Sequence, residues 1–118
     1  MYETKFCKVE YLQNYNAIFC QWKQFCKRDD YRNPFEYGLK LINVKNATMW
    51  ITDTTNGFEN ESEDTQWLLE TFIPKTTESS CDTIVFIIKE DSPLKDEIDG
   101  QTKALSQYFT VRQIERLE

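Results

Sequence analysis

The side chains with chemical potential in this chain are carboxylates, hydroxyls and thiols, because it contains no histidine. That absence removes Ser-His and Cys-His pairs, imidazole metal ligands and the usual near-neutral titrating group. The strongest remaining candidate is Asp53, followed by Thr54, Thr55 and Asn56. The pattern places it at the carboxyl end of a strand, where open α/β sheets hold ligand contacts. An aspartate there equally suits capping its own turn. Ser62, Glu63 and Asp64 come next, a hydroxyl and two carboxylates at the start of an expected helix, where the dipole favours negative charge. Ser62 and Thr65 are also candidate phosphate acceptors, although helix capping accounts for Ser62 alone. Adjacent helical residues point apart, so Glu63 and Asp64 do not form a converging acid pair. Trp22, Trp50 and Trp67 suit a ligand pocket and, more simply, a core. Gly38, Gly57 and Gly100 are too far apart for a phosphate-cradling loop. Cys7, Cys20, Cys26 and Cys81 lack C-x-x-C or zinc-ligand spacing and read as small buried hydrophobes. No nucleophile, base and oxyanion donor converge, so the expectation is a non-enzyme with neither metal nor cofactor.

The elements that must position these residues follow from length and periodicity. A chain of 118 residues suits one domain spanning 1–118. With 14 Lys+Arg against 20 Asp+Glu, the net charge of −6 repels phosphate backbones. Proteins or small molecules, and not nucleic acid, are the expected partners. No stretch approaches the ~18 apolar residues of a membrane span, and the N-terminus lacks a signal-like apolar core, so the expected location is cytoplasmic without membrane insertion.

Cys7, Val9 and Tyr11 alternate with polar residues, as do Ile18, Cys20 and Trp22, predicting a hairpin around Asn14-Tyr15-Asn16. The register that matches the apolar faces sets Tyr11 opposite Ile18, Val9 opposite Cys20 and Cys7 opposite Trp22, which argues against a Cys7–Cys20 disulfide. Tyr31, Phe35, Leu39 and Ile42 predict a helix from about Asp30 to Val44, capped by Asp29-Asp30, with Pro34 in its first turn and Asn46 at its end. A strand at Thr48–Thr52 then ends at Asp53, followed by a polar loop from Thr54 to Glu61. The second helix, capped by Ser62, carries Leu68, Leu69, Phe72 and Ile73 on its apolar face and stops at Pro74. Thr83 to Ile88 is apolar on both faces and reads as the central strand, covered by helices. Ser92-Pro93 opens a third helix with Leu94, Ile98, Leu105 and Tyr108 inward, and Phe109 to Ile114 forms the last strand. The expected fold is α/β, order ββαβαβαβ, a mixed sheet with helices packed on it and right-handed crossovers between its later, parallel strands.

The string Trp50-Ile51-Thr52-Asp53-Thr54, then Ser62-Glu63-Asp64, Trp67 and Pro74, resembles the small STAS-like, SpoIIAA-like domains, also described as STAS/SEC14-like. Those domains carry a W-x-x-D strand end, an E-D-x-x-W helix and a proline. The hairpin ending near Trp22, the Asp30-Tyr31 helix start and Tyr108-Phe109-Thr110-Val111 extend the likeness over almost the whole chain. The resemblance implies a compact α/β domain without an assigned reaction. The Asp-Ser-Ser-Gly-like phosphoacceptor of anti-sigma-factor antagonists is absent, so phosphoregulation is not implied. The chain also stops at Glu118, where many relatives continue into a terminal helix, and an exposed sheet face or edge would then seek a partner, a second copy included.

Two functions are expected. The first is a regulatory or protein-interaction module of STAS-like type, working through Asp53, Thr54, Thr55, Asn56, Ser62 and Asp64. The alternative is binding or sensing of a small apolar ligand, in line with the SEC14 side of the resemblance and an aromatic content of 14%. A deep aromatic-lined pocket separates them, because an interaction module has a packed interior.

Overall fold

The computed structural model describes residues 1–117. Six strands form one sheet in strict chain order: β1 (Tyr2–Glu3), β2 (Cys7–Leu12), β3 (Ala17–Trp22), β4 (Met49–Asp53), β5 (Thr83–Ile87) and β6 (Thr110–Ile114). Strands β1 to β3 pair antiparallel, and β3 to β6 pair parallel. This is the expected α/β mixed sheet of order ββαβαβαβ, preceded by the two-residue edge strand β1. The hairpin register is as expected, with Cys7 opposite Trp22, Val9 opposite Cys20 and Tyr11 opposite Ile18. Asn16 (φ 49°) and Asn46 (φ 53°) close a short 3-10 turn and the first helix in the left-handed conformation that asparagine tolerates. Among the described residues no helix is long and apolar enough to cross a membrane.

The helices are α1 (Asp29–Lys45), a rod built from α2 (Ser62–Trp67), a π segment (Leu68–Phe72) and α3 (Ile73–Thr77), and α4 (Lys95–Leu105). Their details correct four expectations. Arg28, at φ 56° and ψ −127°, occupies the N-cap of α1, so Asp29 and Asp30 lie in its first turn and make no cap bond. Pro34 lies inside α1, where it forgoes one backbone bond to the carbonyl four residues earlier. Ser62 is the first helical residue, not a cap; Glu61 stands at that position without a side-chain bond. Pro74 does not end its helix. A proline ring collides with the carbonyl four residues back in a regular α-helix, and the wider π turn immediately before Pro74 gives that carbonyl another geometry, so the rod continues.

Each parallel strand adds on the same side of its predecessor. Right-handed crossovers then put every helix on one face. The buried residues confirm the arrangement: Tyr31, Phe35 and Ile42 of α1, Leu68, Phe72 and Ile73 of the rod, and Ile98 and Leu105 of α4 share one core with the inward residues of the sheet. Strand β5 is thus not central and has helices on one side only, contrary to its reading as a strand covered on both. Its outward Val85 and Ile87 join Ala17 and Ile51 in a smaller cluster, against which Phe19, Met49, Ile114 and Leu117 pack. Tyr108 falls beyond α4 and is 62% exposed.

Helix α1 lies unusually close to the sheet at Gly38. A Cβ there would stand 2.3 Å from two ring carbons of Trp50. The closeness lets Phe35 stack on Trp50, with centroids 5.6 Å apart and planes 8° from parallel. Gly38→Ala gains up to about 1 kcal/mol of helix propensity but overpacks the core by about 1–3 kcal/mol. We expect a net lower thermal midpoint; a higher one would mean that α1 does not sit this close to Trp50.

Candidate functional site

Strand alternation turns Trp50 and Thr52 of β4, and Ile84 and Phe86 of β5, toward the helices. With Trp22 at the end of β3 they floor a cavity between the sheet and the helical layer. Tyr31 and Phe35 of α1 wall it on one side, Leu68, Phe72 and Ile73 of the rod above, and Ile98 and Leu105 of α4 on the other. Gly57, Phe58 and Asn60 of the loop after β4, with Leu94, Glu97 and Gln101, are the half-buried residues at its rim. The rings lock one another: Trp22 stacks on Tyr31 at 5.2 Å, and Phe58 meets Trp22 edge-on at 5.6 Å. The cavity volume is about 70 Å³, roughly half that of the ~150 Å³ engineered cavity known to hold benzene. It therefore encloses a short aliphatic group, not a ring system.

Polar chemistry is concentrated at the rim. The Asn60 side-chain amide donates to the Tyr31 hydroxyl at 2.9 Å, and burial pushes that phenol far above its ordinary range, leaving it neutral. The Asn60 backbone amide lies near Glu97 and favours its charged form. Partial burial nevertheless raises the Glu97 carboxyl above its usual value, and nearby Glu59 adds to the rise. Inside, the Trp50 indole N–H donates to Thr52 Oγ1 at 2.9 Å, so the floor's polar groups are occupied.

The residues singled out from the sequence do not form one surface. Asp53 caps its own turn: Oδ1 accepts from the Thr55 N–H (2.9 Å) and hydroxyl (2.6 Å), while Oδ2 accepts from the Gln21 amide (3.1 Å). Thr54 is buried at the cavity, its N–H and hydroxyl donating to the Ile87 carbonyl at 3.1 and 2.7 Å. Thr55, Asn56 and Ser62 face outward. Asp64, expected at the surface, is 0% exposed. Its oxygens accept from the backbone N–H of Arg28 (3.1 and 3.3 Å) and from Nε of Arg32 (3.2 Å). Arg32 also lies over the Trp67 ring at 5.6 Å. The carboxylate thus ties the start of α2 to that of α1, and its orientation is structural.

Glu97 and Asn60 were not among the sequence candidates. Glu97 and Gln101 stand within the stripe of Leu94, Ile98 and Leu105, and polar residues inside an inward stripe are a legible signal. Asn60, in a polar loop, carries none. The cysteines are free and buried. Although each faces another residue across the hairpin, Cys7 and Cys20 are diagonal neighbours, and their sulfurs lie 3.6 Å apart. Burial pushes Cys26 up to about 12 and Cys81 to about 11. No group of side chains suited to a metal ion is found among the described residues.

No family model, curated protein or solved structure matches the chain.

Two outcomes are expected. Asp64→Ala leaves Arg32 and a strained Arg28 backbone without their acceptor, so urea denaturation should show a loss of about 1.5–3 kcal/mol, the scale for hydrogen bonds to a charged group; an unchanged midpoint would contradict the clamp. At pH 8 the folded protein should alkylate at Cys26 and Cys81 far more slowly than the urea-unfolded chain, because the reactive species is the thiolate.

Proposed function

We propose that this chain is a STAS-like, non-enzymatic domain that binds a small ligand through an apolar body of a few carbon atoms. The observation that carries the reading is the cavity itself, lined by aromatic and aliphatic side chains and rimmed by Asn60, Glu97 and Gln101 at the carboxyl ends of parallel strands. Ligand sites combine an apolar lining with a few polar groups that fix orientation. The lining holds one carboxylate and no histidine, cysteine, lysine or arginine, which supports binding over catalysis. The resemblance to STAS/SEC14-like domains agrees with this assignment.

A second reading is a protein-interaction module. It is favoured by the exposed Thr55 and Asn56, of which Thr55 is held by two hydrogen bonds to Asp53. Asn56→Ala and Ser62→Glu would weaken such a partner while leaving the cavity unaffected.

The ligand reading is checked with isoamyl alcohol, a neutral probe whose branched tail suits the enclosed volume. We expect saturable changes in tryptophan fluorescence and in the amide resonances of α1, the rod and α4, with affinity on the order of millimolar for so small a ligand. Ile98→Phe, which fills the cavity, should abolish them while preserving the circular dichroism spectrum. Shifts that never saturate, or that survive Ile98→Phe, would remove the cavity from consideration.

A further inference from the structure

We propose that the ligand of this cavity carries a cationic head, a primary or methylated ammonium, seated against the carboxylate of Glu97. The inference rests on the ligand-binding reading above and adds the sign of the ligand's charge. Glu97 is the one charged side chain in the lining. Among the described residues no cation pairs with it. The nearest lysine in sequence, Lys95, is engaged elsewhere, at 3.9 Å from Glu90 and 3.6 Å from Asp99, with Gln113 also accepting from it.

A carboxylate offers only acceptors. Glu97 lines the cavity at its half-buried rim, so those acceptors are within reach of a ligand there. A ligand that donates with a positive charge meets them with a charge-assisted hydrogen bond. A neutral head makes a weaker bond and leaves the partly desolvated charge uncompensated. An anionic head is repelled by Glu97 and by nearby Glu59, and the chain's net charge of −6 draws cations toward the surface as a whole. Trp22, Tyr31 and Phe58 supply aromatic surface close to the same rim, the kind of surroundings in which ammonium groups are held. The aliphatic interior then receives the tail. The recognised class is a short or branched alkylamine, or a larger amine presenting such an end.

The test holds the tail constant and varies the head. Isoamylamine, isoamyl alcohol and isovalerate are titrated into isotope-labelled wild-type protein, Glu97→Gln and Ile98→Phe, following amide resonances around the cavity. We expect the amine to bind on the order of tenfold more tightly than the alcohol, the scale of one charge-assisted hydrogen bond, and isovalerate to bind weakest. Glu97→Gln, which removes a charge that burial disfavours and so folds normally, should bring the amine down to the level of the alcohol. Equal binding of amine and alcohol to wild type, or an amine preference retained in Glu97→Gln, overturns the cationic assignment while leaving the cavity reading standing. Amine binding that persists in Ile98→Phe places the cation on the acidic surface and also overturns it. If no probe binds wild type, the cavity reading fails first, and this inference with it.

Discussion

The buried carboxylate of Asp64 sets the geometry on which the helical layer depends. An ionised carboxylate away from water is tolerated only when hydrogen-bond donors and positive charge surround it. Here the donors come from the beginning of a different helix: the Arg28 backbone N–H and the Arg32 side chain. Presenting that N–H places Arg28 at positive φ, a conformation that costs a non-glycine residue about 1–3 kcal/mol and that the clamp offsets. The starts of α1 and α2 are thereby fixed to one another. Tyr31 and Phe35, one and two turns into α1, are brought against Trp22 and Trp50, and Phe72 against Phe35 at 4.9 Å.

The cavity lies among these packed rings, between α1, the rod and α4. Gly38 lets α1 approach the sheet beside Trp50, and the π segment carries Leu68 and Phe72 to the lining. A group that fills the cavity recovers contacts that the lining side chains otherwise lack, so the void contributes to affinity as well as to shape.

Much of this was legible in the sequence. Period-two alternation in two adjacent segments fixed the hairpin register to the residue, because a slip by one position would have turned every apolar side chain outward. Helix α1 and strands β4 to β6 followed from periodicity and apolar runs. The misreadings share a cause, in that each concerns what lies across space from a residue. Ser62 has the chemistry of a cap, yet the adjacent extended residue is Glu61. Pro74 has the chemistry of a terminator, but a π turn accommodates it. Asp64 has the chemistry of a solvated first-turn acid, and only the tertiary fold reveals the Arg28 N–H opposite. The two-sided apolarity of β5 was real, although Leu117 and the outward cluster, not a second helical layer, lie on the far side. At the site itself Trp22 and Trp50 were visible as candidates, whereas Glu97 needed the direction of α4 to be known before its position in the inward stripe acquired meaning.

The strict order of the strands carries a consequence for how the molecule is made. From β2 onward every strand pairs with the one synthesised just before it, so each finds a partner that has already left the ribosome. The hairpin of β2 and β3 is the first template, and each α-helix and strand that follows docks onto an edge that already exists. Short-range pairing of this kind limits the loop-closure entropy that slows sheets with distant partners. It also keeps the exposed growing edge to a single strand at a time during synthesis, which limits the unpaired surface on which nascent chains aggregate.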